Sequence, residues 1–152
     1  MRRSSALEVR EIEPGTPEYE VAAELRYDAL YRDWGLPRSL IEDTDGRTYR
    51  HIAAFDGHRL LGYARLWLED GESKIFQVSV ASDRRGQGIG ALLVEELVSI
   101  AAAAGRMEVV LDARAHVVSF YEQLGFVAEG EEFLSGRTGT PHRHMRRRLG
   151  GV

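Results

Sequence analysis

The chain contains no cysteine, and that one absence removes disulfides, thiolate zinc sites and a cysteine acyl-enzyme together. It has one lysine, Lys74, among 20 basic residues, so nearly all of its positive charge is guanidinium. Genomic composition bias or a bidentate anion-binding role would each produce that excess. No run of about 18 apolar residues occurs, so no helix is expected to span a membrane. The opening Met1-Arg2-Arg3-Ser4 is basic with no apolar run behind it, which argues against a signal peptide and for a cytoplasmic address. Basic excess is lacking too. With 24 acids against 20 bases, the net charge is -4 and the pI near 5.8, unlike a general nucleic-acid binder.

What is present is the composition of one globular domain. The 152 residues are 43% hydrophobic and 29% charged, and a chain of this size buries roughly 68–70% of its unfolded surface without staples. No repeat or low-complexity linker divides it, so residues 1–152 read as a single domain with a core of about 7–149.

Leu7–Ile12 alternates apolar and polar residues and predicts an opening strand. Thr16-Pro17 then reads as an N-cap followed by proline at the first helical position. From Glu18 to about Trp34, the residues Val21, Ala22, Leu25, Ala29 and Leu30 recur at helical spacing, and Gly35 and Pro37 stop the helix. Leu36–Gly46 is a loop or short second helix ending in the acidic run Glu42-Asp43-Thr44-Asp45. Strands follow at Tyr49–Phe55, Leu60–Leu68 and Lys74–Val80, separated by Asp56-Gly57-His58 and Asp70-Gly71. A helix over Ile89–Ala104 is the clearest element, with Ile89, Leu92, Leu93, Leu97, Ile100 and Ala104 on one face. Met107–Asp112 predicts a strand and Ala115–Leu124 a helix. Gly125-Phe126 opens another strand, and a last one runs from His142 to Leu149. The order β-α-(α)-β-β-β-α-β-α-β-β is an α/β layer domain of the α+β type.

Most of the chemical information lies in Val78-Ser79-Val80-Ala81-Ser82-Asp83-Arg84-Arg85-Gly86-Gln87-Gly88-Ile89-Gly90. An apolar strand delivers the chain to a loop with glycines at alternate positions, and a long helix begins inside that loop. Glycines let backbone N–H groups converge, and a helix start adds free donors and a positive dipole end. Arg84 and Arg85 add charge at the edge, so the loop is suited to an anion. The glycine–lysine–hydroxyl pattern of a P-loop is missing. Gly86-x-Gly88-x-x-Ala91 also fits a dinucleotide fingerprint, with Asp112 placed as a ribose acid. The polar residues before the loop and the short remainder of the chain count against that alternative.

Arg85-x-x-Gly88-x-Gly90 after an apolar strand resembles the acetyl-CoA motif of the GCN5-related N-acetyltransferases (GNAT superfamily). Phe120-Tyr121-Glu122-Gln123-Leu124-Gly125-Phe126 resembles that superfamily's second signature, and the element order agrees over the whole domain. A narrower likeness is to the ElaA-like branch. It is carried by Glu42-Asp43-x-Asp45 with His51, by Leu111–Tyr121 with His116, and by Glu132-Phe133 before Gly139-Thr140-Pro141-His142-x-x-Met145.

The resemblance implies a single-domain, mostly antiparallel sheet flanked by helices, and direct acetyl transfer from acetyl-CoA to a primary amine of a small molecule or peptide. It implies no metal, no nucleic acid and no membrane, and a homodimer is common in the superfamily. The pyrophosphate would sit on the backbone amides from Gln87 to Ala91, through Gly88, Ile89 and Gly90, with Arg85 and Gly86 beside it. The pantetheine arm would pair with the edge of Val78, Ser79 and Val80, and an N–H near Val80 would face the thioester oxygen. Tyr121 would protonate the departing thiolate; the residues alone fit a packed core tyrosine equally well. Where the superfamily often has asparagine, seven positions before that tyrosine, this chain has Arg114, which either contacts a coenzyme phosphate or faces solvent.

The general base stays open among Glu69, Asp70, Glu72, Gln77, His51 and His142. Pro141-His142-Arg143-His144 is read as sending its two histidines to opposite faces of a strand. With no cysteine and no third ligand nearby, a metal site is not expected. Arg143, Arg146, Arg147 and Arg148 read as solvated strand and tail residues. The acidic Glu42–Asp45 segment favours a cationic acceptor. Two rival functions remain: a binding module that holds acetyl-CoA without turnover, and a dinucleotide-binding oxidoreductase.

Overall fold

A computed structural model of the chain describes residues 7–42 and 46–150. Asp43, Thr44 and Asp45 of the acidic run fall outside them, as does the basic opening. The alternation at Leu7–Ile12 forms β1, and Thr16 caps α1 (Pro17–Leu30) by accepting a hydrogen bond from the Tyr19 amide at 3.3 Å. The helix predicted to reach Trp34 stops at Leu30. A separate 3-10 turn, Arg32–Trp34, closes on Gly35 in the left-handed region at φ 67°, and a second covers Arg38–Ile41. Then come β2 (Tyr49–Asp56), β3 (Arg59–Trp67), β4 (Lys74–Val80), α2 (Ile89–Ala103) and β5 (Glu108–Arg114). The chain ends with α3 (Val118–Gln123), β6 (Val127–Leu134) and β7 (Pro141–Arg148).

The strands form one sheet in the order β1-β2-β3-β4-β5-β7-β6. Every neighbouring pair is antiparallel except β4 and β5, where α2 supplies the crossover that a parallel pair requires. One parallel pair is not the doubly wound sheet that a dinucleotide fold needs, so that rival loses its scaffold.

The two faces of the sheet are covered differently. On one, α2 lays Leu93, Val94, Leu97, Val98 and Ala101 against Ile52, Ala54, Leu61, Leu66, Ile75, Val109 and Leu111. Burying each of these larger side chains contributes roughly 1.5–3 kcal/mol. The buried stripe is rotated from the predicted one: Leu92 is 45% exposed and Ala104 is exposed, while Val94, Val98 and Ala101 are inside. The helix sits close because Gly62 of β3 leaves room. A Cβ there would lie 2.9 Å from Leu93 Cδ1 and 3.0 Å from the Ser79 carbonyl oxygen.

On the opposite face α1 buries Ala22, Ala23 and, at 1% exposure, Arg26. The helical pattern foresaw Val21 inside, but it is 53% exposed. The guanidinium of Arg26 stacks 4.7 Å from the centre of the Tyr63 ring and donates to Gln77 Oε1 at 3.1 Å. His51 and Arg65 are buried on the same side. No described helix is long and apolar enough to cross a membrane.

Candidate active site

The parallel pairing of β4 and β5 is short. Lys74 faces Val110 and Ile75 faces Leu111, and beyond Ile75 the two strands separate. The cause lies in β4 itself. Arg65 of β3 pairs with Phe76 and Tyr63 with Ser79, so Gln77 and Val78 together oppose Ala64 in a β-bulge. Gln77 takes φ 57°, a left-handed conformation unfavourable for a side-chain-bearing residue. Its amide group is gripped from both ends: Oε1 accepts from Arg26, and Nε2 donates to the Tyr31 hydroxyl at 3.3 Å. Ser79 Oγ donates to the Gln77 carbonyl at 2.9 Å. Gln77 is therefore a shape-setting residue, tied by its side chain to α1, which the sequence had offered only as a base.

The separation opens a cleft of about 1350 Å³. Val78, Ser79, Val80, Arg85, Gly86, Gly88, Ile89, Gly90, Ala91, Arg114 and Tyr121 all line it. Gln87, expected among them, does not line it and is exposed. Where the glycine loop meets the cleft, Gly88 caps α2 at φ 85°, with no side chain bonded to the first amides and no acid in the first turn. Those donors are the usual orphans of a helix start, left available. The two arginines of the loop have different duties. Arg84 donates to Asp56 at 2.8 Å and braces the loop, whereas no ion pair engages the exposed Arg85 among the described residues.

Tyr121 is 8% exposed, held edge-on by Phe120 at 4.9 Å and Phe126 at 5.9 Å between ring centres. Burial pushes its hydroxyl well above the ordinary phenol value, so it stays protonated. Arg114, at the end of β5, stacks on Trp34 at 5.2 Å and Tyr31 at 5.8 Å.

The base candidates separate cleanly. Glu69, Asp70 and Glu72 are exposed turn acids off the cleft, and His51 is a core residue 2.6 Å from the Tyr63 hydroxyl. His142 lines the cleft, and its Nδ1 lies 2.9 Å from the Thr140 carbonyl oxygen. A carbonyl only accepts, so Nδ1 carries a proton, and in the neutral form of the ring the lone pair is at Nε2.

His142 and His144 do not diverge, contrary to expectation. Residues two apart on a strand share a face, and the two pair in register with Arg114 and Asp112. His144 Nδ1 and Lys74 Nζ each lie 2.8 Å from Asp112. Burial pushes the Asp112 carboxyl up, but these two partners outweigh it and hold it below the usual range. That engagement occupies the carboxylate once considered for a ribose. Among the described residues, no group of three or more His, Asp or Glu is placed to hold a metal ion. The basic end is structural as well as solvated: Arg146 bridges Glu108 and Glu129, and Arg147 reaches Glu95.

Sequence reasoning missed Arg26, Trp34 and Thr140 as supports of this cleft. Arg26 occupies an apolar helical position with no local mark. The run Gly139-Thr140-Pro141-His142 is read from the sequence only as part of the family resemblance, with no role for Thr140.

The glycine loop, the bulged strand and the split beside it are the features to compare with known proteins. The family described as Acetyltransferase (GNAT) domain matches residues 21–149. This chain belongs to the GNAT acetyltransferase family. Among curated relatives, the uncharacterized N-acetyltransferase YjcF of Bacillus subtilis is 28% identical over 122 residues, 80% of this chain and 86% of YjcF. ElaA of Escherichia coli aligns with TM-score 0.78 at 24% identity, covering 93% of this chain and 99% of ElaA, in keeping with the ElaA-like resemblance. A GNAT family acetyltransferase from Elizabethkingia anophelis, solved with acetyl-CoA bound, aligns with TM-score 0.74 at 18% identity over 94% and 98% of the two chains. These structural likenesses concern the fold.

Proposed function

We propose that this GNAT acetyltransferase moves the acetyl group of acetyl-CoA directly to the primary amine of a small molecule or peptide, with both substrates bound together. One observation carries the reading: the opening between β4 and β5 joins an unpaired strand edge to the start of α2, which has no acid in its first turn and no side-chain cap. Val78, Ser79 and Val80 would pair with the pantetheine arm along that edge. Arg85 and the amides from Gly86 to Ala91 would hold the pyrophosphate. An N–H near Val80 would stabilise the oxyanion that forms on the thioester carbonyl.

In the transfer, the amine nitrogen bonds to the carbonyl carbon and the carbon–sulfur bond breaks. Sulfur leaves with the electron pair and takes a proton, while the amine gives one up. Tyr121, kept protonated by burial, is the donor to sulfur. An alkyl amine near pKa 10.4 is only about one part in a thousand neutral at pH 7, so its proton needs a route out. His142, with Nδ1 committed to Thr140, offers Nε2 to that proton through water.

Calorimetric titration with acetyl-CoA, with NADH in parallel, tests the reading. Micromolar binding of acetyl-CoA alone is expected, and Gly88→Glu should abolish it by setting a carboxylate where phosphate belongs. NADH binding without acetyl-CoA binding would overturn it. Tight acetyl-CoA binding with no thiol release across a wide amine screen would leave a binding module instead.

A further inference from the structure

Arg114 differs from many of the chain's arginines. Arg10, Arg32, Arg50, Arg59, Arg84 and Arg147 each hold a carboxylate. Among the described residues Arg114 has none, and its neighbours are the rings of Tyr31 and Trp34. Ring contacts of this kind use none of a guanidinium's N–H donors. The group is half-buried, and loss of water around it lowers its pKa without discharging it. A cation partly stripped of water, with its fork free and lining a cleft, lacks an anion.

Which anion follows from the side of the sheet. Val109, Leu111 and Ala113 of β5 point into the aliphatic core beneath α2. Alternation therefore sends Val110, Asp112 and Arg114 to the other face, and the contacts with Tyr31 and Trp34 agree. The glycine loop begins α2 and serves the face that Arg114 turns away from. Arg114 is thus poorly directed toward the coenzyme's pyrophosphate. It faces the half of the cleft shared with His142, its register partner on β7. Lys74 also lines the cleft and is already held by Asp112; Arg47 and Arg65 line it too and lie against the rings of Trp67 and Tyr49, and Arg137 donates to the Leu40 carbonyl. Glu42 lines the same cleft and suits the ammonium form of an arriving amine.

We infer that Arg114 anchors a carboxylate of the acceptor, so that the substrate class is zwitterionic: a primary amine that also carries a carboxylate, as in an amino acid or a short peptide. The inference rests on the acetyltransferase reading of the same cleft and narrows its acceptor. It also accommodates Glu42, because such an acceptor brings both charges.

The test compares acceptors that differ only in the anion: glycylglycine against glycylglycinamide, and phenylalanylglycine against its amide. Thiol release is followed with acetyl-CoA, and calorimetry records acceptor binding to the protein saturated with CoA. The wild-type chain should prefer the acids by about 10- to 100-fold in kcat/KM, the range for a charge-assisted bidentate contact, and mainly through KM. Arg114→Gln should remove the preference while acetyl-CoA affinity stays unchanged, and Arg114→Lys should restore part of it. Equal handling of acid and amide by the wild type would overturn the anchor, and this arm needs no variant to fold. Failure of every member to bind or react would overturn it too. So would loss of acetyl-CoA affinity in Arg114→Gln, which would give the residue to a coenzyme phosphate. Absence of acetyl-CoA binding in the wild type would strike the acetyltransferase reading itself, and is measured separately.

Discussion

The face of the sheet under α2 and the face under α1 are built from different chemistry. Beneath α2 the core is aliphatic, with Leu93, Leu97, Leu61 and Leu66 fully enclosed. Beneath α1 it holds Arg26, His51 and Arg65, interleaved with tyrosines. The first face resists deformation because apolar packing is dense and has no directional demands. The second is directional, and its hydrogen bonds hold the β4 bulge in a strained conformation. Stability is thus concentrated on one side, and the shape of the cleft between β4 and β5 is set from the other.

Substitutions can break that division. Leu97→Ala should have the largest effect on stability, about 2–5 kcal/mol in denaturant unfolding, because it empties a fully buried site. Activity per folded molecule should change little, and a large loss in kcat with normal stability would contradict the division. Tyr121→Phe should do the reverse. The ring still packs between Phe120 and Phe126, so the unfolding midpoint should hold. Turnover should fall about 10²-fold or more with acetyl-CoA binding intact. Normal turnover would remove Tyr121 from proton donation and leave it a core residue.

The same division explains what was legible beforehand. Ile89, Leu93 and Leu97 announce α2 because aliphatic residues bury for one reason, and their spacing records it. Even there the stripe was misplaced, since Leu92 and Val94 are equally apolar and only packing against β3 decides between them. The glycine loop was readable as a shape, because the left-handed φ of Gly86 and Gly88 at the start of α2 is one that glycine adopts freely. On the α1 face the signal fails. Arg26 buries because partners far along the chain receive it, Gln77 being 51 residues away. Gln77 itself has no mark of a bulge, since its left-handed φ is imposed by contacts and not by its own preference. Arg114 could be picked out as a departure from a motif, but its orientation needed the alternation of β5 and the position of Trp34.

Gln77→Gly sharpens the comparison further. Glycine adopts φ 57° without strain, so the backbone gains roughly what the lost side-chain bonds give up. The net stability change should stay within about 1 kcal/mol. Without its tether to Arg26 and Tyr31 the bulge is free to relax, and kcat/KM should drop roughly tenfold, a loss of about 1.4 kcal/mol in transition-state stabilisation. Unchanged activity would mean that β3 alone maintains the split.

The smallest effect expected concerns Asp112, whose carboxyl is held below the ordinary range by Lys74 and His144 against the opposing push of burial. A depressed carboxylate contributes stability that is fully present above its unfolded value, near about 3.9, and is lost as pH falls through the folded value. Asp112→Asn should therefore cost no more than about 1 kcal/mol at neutral pH, as for other partly exposed pairs. As pH falls below roughly 4 the gap between variant and wild type should begin to narrow, and it should close only below the depressed folded value, where the native carboxyl is protonated as well. A gap that stayed constant down to acid pH would mean that Asp112 acts through packing. A gap that widened would reverse the sign of the linkage and show its charge to be a burden on the fold.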